Sequence, residues 1–193
     1  MNTTRKDLCF SDIVQKEFSF LEHDFGLSLD ALNITIVRYR SPSLAVNVYH
    51  GRKSYEIGFE LCKVDEKPEI CLSLPTILRA VVPSYKGQTF FQASDRHTLE
   101  HCINIMASLV KSYCIDLFKG NVATWKVVKK IQDEMTEEVT NLYTIKPIKI
   151  KALEAWQRKD YREVVSLYES VMSNLDDIER RRLDYSRKRM DKS

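Results

Sequence analysis

Glycine and proline are scarce in this chain, with five of each among 193 residues. Collagen-like repeats, low-complexity disorder and loop-rich β-barrels need many backbone positions that other residues cannot occupy, so this scarcity argues against all three. The sequence also has no Gly-rich phosphate loop, no G-x-G-x-x-G string and no G-x-S-x-G string. It therefore predicts a helix-rich, non-enzymatic protein without a cofactor.

The sequence also lacks a long hydrophobic run and a C-x-x-C pair. Its uncharged apolar stretches fall far below the ~18 residues that span a bilayer, and its N-terminus has no apolar signal-peptide core. The five cysteines are an odd number, and the apolar surroundings of Cys62, Cys102 and Cys114 favour simple packing of reduced thiols. We therefore expect a soluble protein of the reducing cytoplasm, with no membrane partner and no metal.

Three short segments alternate apolar and polar residues, as strands with one buried face do. They contain Ile34 and Ile36, then Leu44 to Val48, then Tyr55 to Leu61, and their connections are too short for a parallel crossover. The pattern predicts a three-stranded antiparallel meander. We expect its open face to bind another protein through polar and aromatic side chains, namely Tyr39, Asn47, Tyr49, Glu56 and Glu60.

Apolar residues spaced three and four apart predict helices that pack on this sheet. The first helix is expected from Leu8 to Phe25, closed by Gly26, and a short one from Pro75 to Val82. The longest stripe predicts a helix from Asp95 to Phe118. These elements place an α+β domain in residues 1–120.

The rest of the chain is expected to be helical. One helix is predicted from Val122 to Tyr143, and Pro147 is expected to break the chain after it. The following residues contain neither glycine nor proline and fit two or three more helices. The fold class is therefore predicted to be α+β, with an all-helical extension over residues 121–193 docked on the first domain.

A segment of the C-terminal part is similar to one tetratricopeptide repeat unit. The pattern is Ala155-Trp156, Asp160-Tyr161, Val164 and Tyr168, with Lys159 where that family favours glycine. A lone unit cannot bury both faces, so the resemblance implies a packed helical hairpin rather than a repeat array. A following helix would carry Ile178, Arg182 and Tyr185 on one side. The hairpin is the second candidate surface for a protein partner, through Trp156, Tyr161 and Tyr168.

Residues 97–101 form an H-x-x-E-H string. On a helix, His97 and His101 would lie one turn apart as zinc ligands, with Glu100 as a base. The buried stripe is on the other side of this helix, and the sequence offers no matching third ligand. We therefore prefer an exposed helical turn to a metal hydrolase.

The C-terminal run is rich in arginine, with Arg180, Arg181, Arg187 and Arg189 as candidate phosphate contacts. Acidic residues alternate with these arginines at helical spacings, and 30 Lys+Arg against 27 Asp+Glu leave a net charge of only +3. A solvated helix is therefore favoured, and nucleic-acid binding is the alternative function.

The strings FSFLEHDFG (residues 18–26) and NVYHGRKSYEIGFE (residues 47–60) resemble segments of small uncharacterised bacterial proteins. In those proteins a helix that ends in F-L-x-x-x-F-G precedes a strand pair with SYE(I/L)G(F/V)E. The resemblance covers roughly residues 10–118 and implies a compact α+β domain, encoded near toxin or defence genes, without an assigned activity. We therefore expect a bacterial protein-interaction module of the immunity or accessory type, with another protein as its partner.

Overall fold

The structure, a computed structural model, describes residues 8–190, so the predicted domain limits at residues 1 and 193 lie outside it. It is an α+β fold with an antiparallel sheet and many helices, followed by a helical C-terminal region. The chain separates into two compact units, divided between Gln132 and Asp133. The predicted α+β class and helical C-terminal region are confirmed.

The first unit begins with two short helices, α1 (Phe10–Glu17) and α2 (Phe20–His23), where one helix was expected. Gly26 then has the left-handed φ of +65° that its capping role requires. The strands are β1 (Ser28–Asn33), β2 (Ile36–Arg40), β3 (Leu44–His50), β4 (Glu56–Lys63), β5 (Ile70–Ser73) and, after helix α3 (Leu74–Val81), β6 (Phe91–Gln92). The sheet order is β1-β2-β3-β4-β5, and β6 pairs with β4.

The predicted meander corresponds to β2, β3 and β4, the centre of a six-stranded antiparallel sheet. β1 gives no alternating pattern because all of its residues are exposed, and β5 and β6 have only four and two residues. Ile34 lies in the turn between β1 and β2 rather than in a strand. There Asn33 Oδ1 accepts hydrogen bonds from the backbone N–H groups of Thr35 and Ile36, both at 2.9 Å.

Tyr39 lies in the core, so its predicted place on the open face of the sheet is wrong. Antiparallel partners share a face, and β2 pairs Tyr39 with Val46 and Val37 with Val48. All four side chains are fully buried. Ile36 is only partly buried, so β2 alternates in the opposite phase to the one that Ile34 and Ile36 indicated.

Helix α4 (Arg96–Tyr113) is the longest helix of the first unit and contacts α1, α3 and β4. Asp95 caps it by accepting a hydrogen bond from the backbone N–H of Thr98 at 2.9 Å. Its predicted buried stripe is confirmed by Leu99, Cys102, Ile103, Met106 and Val110. The short α5 (Ile115–Phe118) and Gly120, with a φ of +72°, follow it.

The chain stays helical past Pro147, so the predicted break is wrong. A π-helical segment (Asn141–Ile145) connects α6 (Val122–Thr140) to α7 (Lys146–Arg158), and Pro147 lies in the first turn of α7. The wider i→i+5 pattern of a π-helix changes which carbonyls are bonded ahead of the proline. Proline has no N–H group to donate to the preceding turn, and the wider π-helical turn lies directly before this position.

The second unit contains α7, α8 (Tyr161–Ser170) and α9 (Asp177–Met190), with a short 3₁₀ turn at Met172–Asn174. α8 contacts both α7 and α9, and an ion pair of 2.6 Å between Lys149 Nζ and Glu179 Oε2 connects α7 to α9. The unit has its own hydrophobic core, formed by Ile145, Ala152, Ala155, Val164, Tyr168, Val171, Leu175 and Leu183.

Candidate partner-binding sites

Three aromatic rings from three helices line a hollow of about 550 Å³ on the second unit, here called the aromatic hollow. Trp156 comes from α7, Tyr161 from α8 and Tyr185 from α9. Their ring centroids lie 6.0 Å apart for Trp156–Tyr161, 5.4 Å for Trp156–Tyr185 and 5.8 Å for Tyr161–Tyr185, each pair edge to face. This is a favourable geometry for aromatic pairs. The hollow therefore has an ordered apolar wall.

The turn between α7 and α8 positions two of these rings. Lys159 has a left-handed φ of 61°, and its backbone N–H donates to the carbonyl of Trp156 at 3.0 Å. The N–H of Asp160 donates to the carbonyl of Ala155 at 2.9 Å, and its side chain caps α8 by accepting from the N–H of Glu163 at 3.0 Å. These bonds satisfy two carbonyls at the end of α7 and one N–H group at the start of α8. They place Tyr161 at the first residue of α8, beside Trp156.

The aromatic hollow is positively charged. Lys159, Arg181 and Arg182 line it, and among the described residues that line it none has a carboxylate. The guanidinium carbon of Arg182 lies 6.0 Å from the centre of the Trp156 ring, within the range of a cation–π contact. The hollow thus combines aromatic surface with cations, which suits an anionic ligand that also has an apolar group.

Arg189 holds the Tyr185 ring in place. Its Nε and Nη2 atoms donate to the Tyr185 hydroxyl at 2.8 and 2.6 Å, and its guanidinium carbon lies 5.1 Å from the ring centre. The hydrogen bond to Tyr185 raises the pKa of Arg189 above its usual value. This arginine therefore supports the wall of the hollow.

Two of the three residues predicted for the hairpin surface belong to the aromatic hollow. The structure brings the predicted Trp156 and Tyr161 together, but it places Tyr168 in the core with 1% of its surface exposed. Tyr168 lies one turn after the buried Val164 on α8, so its predicted place on a partner surface is wrong. Tyr185 was missed as a site residue, although its helical spacing from Ile178 and Arg182 was the available signal.

The four candidate phosphate-binding arginines do not form one patch. Arg187 pairs with Glu169 at 2.7 Å, and Arg180 Nε donates to the carbonyl of Leu175 at 3.1 Å. Both line a second hollow, which also contains a carboxylate, that of Asp184. Arg189 contacts Tyr185, and Arg181 is the one of these four arginines that lines the aromatic hollow. The arrangement does not form a continuous phosphate-binding stripe.

The other four predicted sheet residues do share the open face of the sheet. Asn47 Nδ2 donates to Glu60 Oε2 at 3.2 Å, across β3 and β4. Tyr49 and Glu56 line a hollow of about 220 Å³ with Phe90, whose side chain is exposed. Burial raises the pKa of Tyr49, and the charges of Glu60 and Glu56 raise it further. Two carboxylates, those of Glu56 and Glu60, therefore lie near Tyr49 on this face.

Cys62 and Cys71 form a disulfide between directly paired positions of β4 and β5. The interpretation of Cys62 as a packing thiol is therefore wrong, whereas Cys102 and Cys114 are reduced and buried as expected. Together with Glu60, these two cysteines are the one group in residues 8–190 that brings three metal-binding atoms within 4.8 Å of one another. Their separation of nine residues matches no local motif, and only the strand register brings them together.

The H-x-x-E-H string lies at the start of α4, where His97 and His101 are both exposed. The two histidines and Glu100 line a groove of about 330 Å³ together with Glu17. Both carboxylates are already engaged: Glu100 accepts from Arg96 Nε at 3.2 Å, and Glu17 accepts from Asn104 Nδ2 at 2.9 Å. The groove does not gather the donor atoms of these residues into a group that could hold a metal ion.

Comparisons with family models, with curated proteins and with solved structures find no significant match to this chain. The resemblances to bacterial α+β proteins and to a tetratricopeptide unit therefore stay predictions. Within residues 8–190, no helix combines the length and the apolar character needed to cross a bilayer.

Proposed function

We propose that this protein is a non-enzymatic interaction module that binds an acidic segment of a partner protein in the aromatic hollow. The observation that carries the proposal is the triangle of Trp156, Tyr161 and Tyr185, bordered by cations and by no described carboxylate. Tryptophan, tyrosine and arginine are the residues that most often dominate the binding energy of protein interfaces.

The rim of the hollow indicates the chemistry of the ligand. Tyr185 and Ile178 have 40% and 61% of their surface exposed, so an apolar side chain of a partner could bury them. Lys159 and Arg181 are exposed beside them and attract carboxylates. We therefore expect a segment with leucine or an aromatic residue next to aspartate or glutamate.

A peptide selection followed by a fluorescence titration tests this proposal. The full chain is used to select binders from a random peptide library, and we expect acidic and apolar residues to be enriched side by side. The chain has two tryptophans, so a Trp125→Phe background leaves Trp156 as the only one. Binding of a selected peptide should change the fluorescence of Trp156 and should weaken as salt concentration rises.

Charge reversal provides the matched comparison. Arg181→Glu should weaken binding of the selected peptide by about tenfold or more, because it replaces an attractive contact by a repulsive one. Lys188→Glu makes the same charge change on the same helix but outside the residues that line the hollow, and it should leave affinity nearly unchanged. A selection without an acidic consensus, or equal affinities of the two variants, would overturn the proposal.

Nucleic-acid binding is the alternative, because bases also stack on aromatic side chains next to arginine. The ion pair of Arg187 with Glu169 and the hydrogen bond of Arg180 to Leu175 weigh against it. An oligothymidylate strand in the same titration separates the two functions. Tighter binding of the oligonucleotide than of any selected peptide would replace our proposal by this alternative.

A further inference from the structure

Two cysteines and one glutamate meet on the open face of the sheet. Cys62 and Cys71 are directly opposite each other on β4 and β5, and Glu60 precedes Cys62 by two residues, so its side chain leaves the same face. A carboxylate oxygen of Glu60 and the two sulfur atoms lie within 4.8 Å of one another. We propose that these three side chains bind one Zn²⁺ ion when the disulfide is reduced. The proposal is independent of the aromatic hollow.

Asn47 provides a second observation at the same place. Its Nδ2 atom lies 3.2 Å from Glu60 Oε2 and 3.7 Å from Cys62 Sγ. Its Oδ1 atom is buried and has no hydrogen-bond partner within residues 8–190. Rotation of the amide by half a turn would present this oxygen to an ion held by Glu60 and Cys62. Asn47 then supplies the fourth ligand of a tetrahedral site.

The S–S bond must open before the metal binds. A dithiol reductant supplies two electrons and two protons, so Cys62 and Cys71 become thiols while the reductant becomes a disulfide. Zn²⁺ then displaces both thiol protons and forms two Zn–S bonds and one bond to a carboxylate oxygen of Glu60. Cys71 is only partly buried, whereas Cys62 is fully buried, so the reductant approaches the disulfide from the Cys71 side.

The disulfide and the metal site are therefore alternative links between β4 and β5. The same sulfur atoms cannot be bonded to each other and act as thiolate ligands at once. In a reducing compartment such as the cytoplasm the disulfide would be open, and the metal would then connect the two strands. The sheet keeps a cross-link in either condition.

A zinc titration of the full chain tests the proposal. The protein is reduced with a phosphine, freed of the phosphine without oxygen, and titrated with Zn²⁺ in competition with a chelating indicator. We expect one tightly bound zinc ion per reduced chain and none per oxidised chain. Co²⁺ in place of Zn²⁺ should give the thiolate-to-cobalt charge-transfer absorption that reports sulfur ligands.

Single substitutions assign the ligands. Cys62→Ser and Cys71→Ser should each weaken zinc binding by more than about 100-fold, beyond what supporting residues usually cause, and Glu60→Gln by at least about tenfold. Cys9→Ser and Glu56→Gln are the matched controls and should bind zinc like the unmodified chain.

Three results would overturn the proposal. The first is a reduced, folded chain that binds no zinc. The second is equal zinc binding by Cys62→Ser and by Cys9→Ser. The third is loss of the far-ultraviolet circular dichroism signal on reduction, because the site requires β4 and β5 to stay paired.

Discussion

The ring of Tyr49 lies directly over Gly58 on the neighbouring strand. The two residues are paired across β3 and β4, and a β-carbon placed on Gly58 would overlap this ring. A glycine inside a strand often marks such a close approach. This contact explains why a glycine interrupts the otherwise regular strand of residues 55–61, and it makes Tyr49 a packing residue of the open face.

Gly58→Ala should therefore destabilise the first unit. The added methyl group forces the Tyr49 ring out of its position, and overpacking of this kind costs about 1–3 kcal/mol of the free energy of unfolding. Chemical denaturation measures the effect. In a Tyr49→Ala background the same substitution should cost clearly less, because the residue that it displaces is gone. Equal costs in both backgrounds would contradict the contact.

Because Tyr39 is buried in the core, we expect the protein to lose stability at alkaline pH. Burial raises the pKa of this core tyrosine from 10.0 to about 12, and the charge of Glu22 adds to the effect. Because the pKa is higher in the folded state, this stabilisation is complete below pH 10 and is lost as the pH rises towards 12. Urea denaturation should show an alkaline loss on the order of 2 kcal/mol that Tyr39→Phe removes.

The stability of the Tyr39→Phe variant at neutral pH provides a second test. The Tyr39 hydroxyl is buried without a hydrogen-bond partner in the described part of the chain, so Tyr39→Phe should leave stability near pH 7 equal or higher. Tyr143→Phe, at a side chain that is 73% exposed, is the control and should leave the alkaline loss in place. An alkaline slope that is the same in both variants would contradict the assignment to Tyr39.

Strands with one buried face could be predicted from the sequence, and other strands could not. Burial of Val46, Val48, Phe59 and Leu61 on one side produces the alternation that identified β3 and β4. Residues 34–39 are mostly apolar or aromatic, so two opposite phases fit them, and only pairing with β3 decides between the phases. A fully exposed strand such as β1 has no apolar face to detect.

The candidate sites likewise divide into parts that a local sequence pattern indicates and parts that only tertiary contacts bring together. Trp156 lies two residues before the end of α7 and Tyr161 is the first residue of α8, so a local pattern could suggest that they meet. Tyr185 reaches them only because α9 packs against α7 and α8. The pairing of Cys62 with Cys71 depends on the register of β4 and β5, which no spacing in the sequence reveals.

A thiol count checks the disulfide directly. Cys9, Cys102 and Cys114 are outside the disulfide, so a thiol reagent in denaturant should titrate three groups without reductant and all five cysteines after reduction. In the folded chain Cys114 should stay unreactive near about pH 8, because burial raises its pKa to about 12 and only the thiolate reacts. Five reactive thiols in the unreduced, denatured chain would contradict the pairing.

Lys159 offers a substitution that separates stability from binding. A residue with a side chain at a φ of 61° is strained by roughly 1 kcal/mol, whereas glycine adopts this conformation readily. Lys159→Gly should therefore raise the free energy of unfolding of the second unit by about 1 kcal/mol. The same substitution should also weaken binding of an acidic peptide in the aromatic hollow, because it removes one of the cations there.

Lys151→Gly is the matched control, since it makes the same change at an exposed position inside α7. There glycine costs about 1 kcal/mol through lost helix propensity, and the peptide affinity should not change. Urea denaturation followed by Trp156 fluorescence in the Trp125→Phe background measures both variants. Opposite signs of the two stability changes establish the strained turn at Lys159. Destabilisation by both substitutions would show that the left-handed conformation carries no strain, and the position of the Trp156 and Tyr161 rings would then need another cause.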